Sequence, residues 1–219
     1  MKSYPSLTST SIKELTDHIS ILTPYVEGFH LDYMDGQFVS TSTHNIELIN
    51  TIRTITAKQL WIHIMANNPL SVLKQLQLNP NDKVTFHTES TQDYSAFIDY
   101  TREHILQPSL ALNPNTTLHA LINTLYTIKH ITIMSVQPGA SGQSFLPSTW
   151  AKLKDLQALR TDQAHYFTIA VDGGVTQKNI AQLAAYGVNE VAICSGIFGK
   201  HDPIKDIKEL MAVIENSAY

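Results

Sequence analysis

The chain has 219 residues, 43% of them hydrophobic, and a formal net charge of -4. That length and apolar content suit one substantial core. A slightly acidic chain without any block of basic residues argues against nucleic acid or an anionic membrane surface as its main partner and favours a small polar substrate. The opening Met1-Lys2-Ser3-Tyr4-Pro5 lacks the apolar core of a signal peptide, and no later stretch is apolar over a bilayer's thickness. A cytoplasmic protein is therefore expected, in keeping with a lone cysteine, Cys194.

Taken in order, short apolar runs alternate with helical patterns. The first run, Lys2 to Leu7, precedes Ile12, Leu15, Ile19 and Leu22 at helical spacing, opened by a Ser11 to Glu14 capping box. Phe29 to Asp32 leads through a turn at Asp35-Gly36 to Ile46, Ile49 and Ile52 on another helical face. Leu60 to Met65, Val84 to His87 and Leu110 to Leu112 follow, the last standing before Leu118, Leu121, Ile122 and Leu125, whose spacing predicts a further helix. Ile131 to Val136, Phe167 to Asp172 and Val191 to Cys194 complete eight runs. Thr176 and Gly187 bracket one late helix, and Asp202-Pro203 opens the last. Eight strand–helix units at a period of about 25 residues predict an α/β fold with a parallel sheet, closed as a (β/α)8 TIM barrel in a single domain over residues 1–219.

Barrels of this kind carry their chemistry at the C-terminal ends of the strands. Four metal-type side chains meet that condition: His30, Asp32, His63 and Asp172. His30 and Asp32 stand two residues apart, which puts them on one side of a strand. Two imidazoles and two carboxylates suit one divalent metal ion: zinc, ferrous iron, cobalt or manganese. Taken singly, His63 also reads as a core histidine, and Asp172, before Gly173-Gly174, as a turn residue. In combination with the His30 and Asp32 pair they point to a shared ion. Asp35 is read as the turn former and left outside the metal shell.

Asp32 and Asp172 come from strands on roughly opposite sides of such a barrel, so a substrate between them meets an acid or base on each face. If one carboxylate removes a proton alpha to a carbonyl, and the other returns one to the opposite face while the cation neutralises the enediolate oxygen, one stereocentre is inverted. Three glycine-containing loops supply the other half of a site: Pro138-Gly139-Ala140-Ser141-Gly142-Gln143, Asp172-Gly173-Gly174-Val175 and Cys194-Ser195-Gly196. Any one of them reads as a plain turn; three after successive late strands predict a phosphate site of backbone N–H groups. Met34, Met65 and Met134 fall at strand ends, where the ordinary reading is core packing and the functional one is a soft wall that keeps water from the reacting carbon.

These residues make the chain resemble the ribulose-phosphate 3-epimerase family almost end to end. The resemblance rests on Pro5-Ser6, His30-Leu31-Asp32-Tyr33-Met34-Asp35-Gly36, His63-Ile64-Met65, Ala111-Leu112-Asn113-Pro114, Met134-Ser135-Val136-Gln137-Pro138-Gly139, Gly142-Gln143-Ser144-Phe145 and Val171-Asp172-Gly173-Gly174-Val175. It implies a barrel of the ribulose-phosphate-binding type with His30, Asp32, His63 and Asp172 as metal ligands, and with Asp32 and Asp172 as catalytic acid and base. Ser6, His63 and the three methionines would touch substrate, and Gly139, Ala140, Ser141, Gly142, Gly173, Gly174, Cys194 and Ser195 would surround its phosphate. The implied reaction interconverts D-ribulose 5-phosphate and D-xylulose 5-phosphate in the pentose phosphate pathway or the Calvin cycle. The implied partner is a small sugar phosphate, and the implied assembly a homo-oligomer.

Some positions depart from that pattern. Ala140-Ser141 replaces an aromatic-glycine pair, Cys194 stands where a glycine usually approaches the phosphate, and Gln37 and Ser40-Thr41 replace a usual His and Pro-Asn. Gln107-Pro108-Ser109 departs from a Lys-x-Gly strand entry. None removes a catalytic group. The alternatives are 3-epimerisation of a ketohexose phosphate such as allulose 6-phosphate and a non-catalytic sugar-phosphate-binding barrel. Aldol or decarboxylation chemistry would want a lysine, and none stands among the site residues.

Overall fold

Near-continuous apolar runs are what parallel strands require when both of their faces are covered. In the computed structural model, which describes residues 1–43, 45–90, 94–121, 124–162, 166–198 and 202–216, these runs form parallel strands β1 (Lys2–Pro5), β2 (Gly28–Met34), β3 (Gln59–Met65), β4 (Lys83–His87), β5 (Gln107–Leu112), β6 (His130–Met134), β7 (Thr168–Asp172) and β8 (Glu190–Ile193). Their order in the sheet is β1-β8-β7-β6-β5-β4-β3-β2. A parallel bridge between Ser6 and His30, with the Leu7 amide donating to the His30 carbonyl at 2.9 Å, joins β1 to β2 and brings the sheet round into a barrel.

The helices are α1 (Ile12–Leu22), α2 (Ile46–Ile55), α3 (Pro69–Leu73), α4 (Ser95–Glu103), α5 (Ser148–Asp162), α6 (Ile180–Ala185), α7 (Ser195–Phe198) and α8 (Pro203–Asn216). None, among the described residues, is long and apolar enough to cross a membrane. Their starts have local causes. Ser11 Oγ accepts from the Glu14 amide at 3.4 Å, but the Glu14 carboxylate takes the Ser9 hydroxyl at 2.7 Å, so only half of the capping box forms. Asn45 caps α2 by accepting from the Leu48 amide at 2.8 Å, and Asp202 Oδ1 caps α8 by accepting from the Ile204 and Lys205 amides at 3.1 and 3.0 Å. Leu15, Ile19 and Leu22 of α1, and Ile49 and Ile52 of α2, lie buried against the sheet.

The helix predicted over Leu118, Leu121, Ile122 and Leu125 does not form as expected. A 3-10 turn covers Leu118–Leu121, and Ile122 lies outside the described residues. Beyond it the Leu125 and Ile128 amides donate to the carbonyls of Leu121 and Thr124 at 3.1 and 2.8 Å, so among the described residues the stretch is a succession of turns.

The barrel interior away from the catalytic end is polar, which the sequence patterns did not suggest. Lys83, at the start of β4, is fully buried and pairs with Glu190 at the start of β8. Its ammonium lies 5.1 and 4.6 Å from the ring centres of Tyr4 and Trp61, which meet edge to face. Trp61 Nε1 donates to the Thr85 hydroxyl at 2.7 Å, and the Ser109 and Thr132 hydroxyls bond at 2.9 Å. Every polar group named here has a partner, as burial demands.

Candidate active site

Strand alternation and sheet register bring the four expected ligands to one place. On β2 the side chains of His30 and Asp32 share a face, and Asp32 stands opposite His63 in the β2–β3 register. Asp172 ends β7, opposite Met134 on β6 and Ala192 on β8, and so approaches from across the barrel. One ligand atom from each of His30, Asp32, His63 and Asp172 lies within 4.8 Å of all the others. His63 Nδ1 is 3.0 Å from Asp172 Oδ2 and 3.2 Å from Asp32 Oδ1, while His30 Nε2 is 3.6 and 3.8 Å from those two oxygens.

The donor set fits a cation. His30 is fully buried, its Nδ1 is tied to the Ser6 hydroxyl at 3.1 Å, and its Nε2 has no hydrogen-bond partner among the described residues although it faces two carboxylates. A buried imidazole nitrogen of this kind is costly unless something positive completes the site. At His63, burial disfavours the charged ring, but hydrogen bonds to Asp172 and Asp32 and the charge of both carboxylates outweigh it and raise the pKa to about 9. A metal would take the place of that proton.

Above the cluster opens a cavity of about 430 Å³, within the range of small-molecule sites. Asp32 and Asp172 reach into it, whereas His30 and His63 lie buried outside its lining. Met34, Met65 and Met134 form part of its wall, and Ser6 reaches it while also holding His30. Gly139, Ala140, Ser141, Gly142, Gly173, Gly174, Cys194 and Ser195 all line the same cavity. Gly173 and Gly174 have φ of 106° and 61°, and a Cβ at Gly173 would meet Val136 at 2.3 Å, so the chain there needs glycine. Among the described residues no lysine or arginine lines the cavity, so an anion would be met there by amides and hydroxyls. Burial raises the pKa of the Cys194 thiol, the Thr8 hydroxyl 4.0 Å away favours the thiolate, and the charges of Asp32 and Asp172 oppose it again; the thiol stays protonated.

Asp35 is the turn residue: its carboxylate accepts from the amides of Gln37, Phe38 and Asn67 at 2.8, 2.7 and 2.9 Å. Burial works against its charge, yet these amides hold it below the usual carboxylate range. Two residues beside the cluster went unread in the sequence. His87 ends β4, with its Nε2 2.8 Å from His63 Nε2, and Glu89 follows with an oxygen 3.3 Å from His87 Nδ1. Their signal was present: His87-Thr88-Glu89 repeats the histidine-x-carboxylate spacing of His30-Leu31-Asp32 at a strand end.

Residues 2–198 match the model of the ribulose-phosphate 3 epimerase family. The chain belongs to that family. It is therefore an enzyme of the isomerase type, and curated members resemble it over most of their length. The ribulose-phosphate 3-epimerase of Serratia marcescens is 31% identical over 201 residues, covering 90% of this chain and 95% of the relative. That of Aquifex aeolicus is 29% identical over 185 residues, covering 84% and 83%. Solved structures add the fold: 3-hexulose-6-phosphate synthase superposes with a TM-score of 0.69 at 16% identity, over 98% of this chain and all of that one. KGPDC from Streptococcus mutans in complex with D-R5P reaches a TM-score of 0.72 at 13% identity, over 98% and 97%. At such identities the likeness to these two concerns the epimerase chain's barrel alone.

Proposed function

We propose that the protein is a metal-dependent 3-epimerase interconverting D-ribulose 5-phosphate and D-xylulose 5-phosphate. The observation that carries this reading is the convergence of His30, Asp32, His63 and Asp172 within 4.8 Å beneath a cavity that the two carboxylates enter. Family membership supports the pentose substrate. A divalent ion held by these four residues, zinc, ferrous iron, cobalt or manganese, would supply positive charge to an oxygen that becomes anionic when the neighbouring carbon loses its proton.

The chain's own groups do the rest. Asp32 and Asp172, on β2 and β7, face the cavity from two sides, so one takes the proton at C3 and the other delivers one to the opposite face. Met34, Met65 and Met134 keep the reacting carbon away from bulk water. The glycine loops after β6 and β7, with Cys194 and Ser195 after β8, receive the phosphate through amide and hydroxyl donors.

Turnover in deuterated water tests the two-acid arrangement: product should carry deuterium at C3 while substrate recovered early does not. Asp172→Asn should lower kcat by at least about 10²-fold in a protein that still folds, as expected for loss of a general acid or base. Unchanged turnover would remove Asp172 from the reaction. Comparing kcat/KM on ribulose 5-phosphate and allulose 6-phosphate decides the sugar, and an equal or reversed preference would overturn the pentose assignment.

A further inference from the structure

His87 closes β4 and touches the ligand cluster without joining it. Its ring stacks on His63, with centroids 4.9 Å apart and planes 16° from parallel, and Phe38 packs against it at 4.9 Å. Along one line run Glu89 Oε2, His87 Nδ1 at 3.3 Å, then His87 Nε2 and His63 Nε2 at 2.8 Å. Past His63, its Nδ1 faces Asp172 and Asp32. Glu89 is itself fixed from behind, because its Oε1 accepts from the Asn113 amide at 3.0 Å and from the Thr116 hydroxyl.

Counting protons along this line gives it a direction. A carboxylate offers only acceptor positions, so the bond between Glu89 and His87 requires a proton on His87 Nδ1. Neutral His87 then presents a lone pair at Nε2. Two imidazole nitrogens 2.8 Å apart share one proton, which must therefore belong to His63 Nε2. His63 Nδ1 is then the nitrogen that faces the cluster: it donates a proton to the carboxylates when no ion is bound, and it presents its lone pair once an ion takes that proton's place. We infer that Glu89 and His87 act as positioning residues that fix the His63 tautomer, Nε2 protonated and Nδ1 presented to the metal. This rests on the reading of the cluster as a metal site. A carboxylate–histidine pair behind a ligating histidine locks its ring and raises its basicity, and losing such a partner typically costs about 10 to 100-fold in metal affinity.

The test is made on the full chain with zinc ion alone. Competition against a chromophoric chelator should give stoichiometric binding by the wild-type protein and roughly 10 to 100-fold weaker binding by His87→Phe and Glu89→Leu. His87→Gln, whose amide oxygen can accept from His63 Nε2, should recover most of the loss, and a role in packing alone would not predict that rescue. Long-range proton–nitrogen NMR correlations on the zinc-loaded wild type need no variant and should show His63 protonated at Nε2. A proton at Nδ1, or His87→Phe binding zinc as tightly as wild type, overturns the relay while leaving the metal site intact. A wild-type protein that does not bind zinc, ferrous, cobalt or manganese ions overturns the metal reading and the relay with it.

Discussion

At the scale of single residues, His30 and His63 sit a few ångströms apart in opposite conditions. One has a buried nitrogen without a hydrogen-bond partner among the described residues, and the other has its ring held between two carboxylates and a second histidine. For His63 the consequence can be signed. Its pKa in the metal-free protein is raised from 6.5 to about 9, so the charged ring contributes stability that is fully present below pH 6.5 and is lost as pH rises through about 9. Metal affinity should run the other way, because the ion must displace that proton: the apparent Kd tightens by roughly tenfold per pH unit on approaching pH 9 from pH 6.5. Urea titrations of chelator-treated protein and zinc competition over the same pH range check both slopes. Flat profiles would mean that the ring is neutral already.

At the scale of elements, the glycines after β6 and β7 separate conformational strain from lack of room. Gly173 and Gly142 both have positive φ, 106° and 76°, but a Cβ on Gly173 would collide with Val136 at 2.3 Å whereas one on Gly142 has nothing within 4 Å. Gly142→Ala should therefore cost only the left-handed backbone penalty of about 1 to 2 kcal/mol. Gly173→Ala should cost more and, by moving Val136 in the cavity wall, should also raise KM; denaturant midpoints and steady-state kinetics read the difference.

Much of this was legible beforehand, for identifiable reasons. Strands such as Leu60 to Met65 announced themselves because parallel strands covered on both faces are apolar throughout, and His30-x-Asp32 because period two fixes a shared face. The stretch after β5 keeps its leucines at helical spacing yet forms a 3-10 turn at Leu118–Leu121, because apolar spacing marks which face is buried and does not by itself distinguish a helix from successive turns. The partnership of His63 with His87 escaped notice because contact between β3 and β4 side chains depends on register, which one strand's pattern does not encode. Ser6 was expected at the substrate; its bond to His30 follows from the bridge joining β1 to β2 and could not be seen in either segment alone.

At the scale of the whole molecule, the two ends of the barrel carry different duties. The strand starts hold Lys83 and Glu190 in a buried pair flanked by Tyr4 and Trp61, while the strand ends hold the ligands and the cavity. Burial is the main influence on Lys83 and lowers its pKa despite the nearby Glu190. Lys83→Met would leave Glu190 buried without its cation and should cost about 3 to 5 kcal/mol. Because that loss falls at the end remote from the chemistry, kcat/KM of the protein that remains folded should change little. A tenfold fall in kcat/KM with unaltered stability would show that the two ends are coupled.

The ring of strands has its thinnest seam at β1 and β2, where the described residues show one isolated bridge, Ser6 to His30, in place of the multi-residue ladders found elsewhere around it. His30 is both a stitch in that seam and one of the four groups facing a common point. An ion drawing His30 toward residues on β3 and β7 would therefore act as a clasp, so amide deuterium uptake at Leu7, which donates across the seam, should slow sharply when zinc is added.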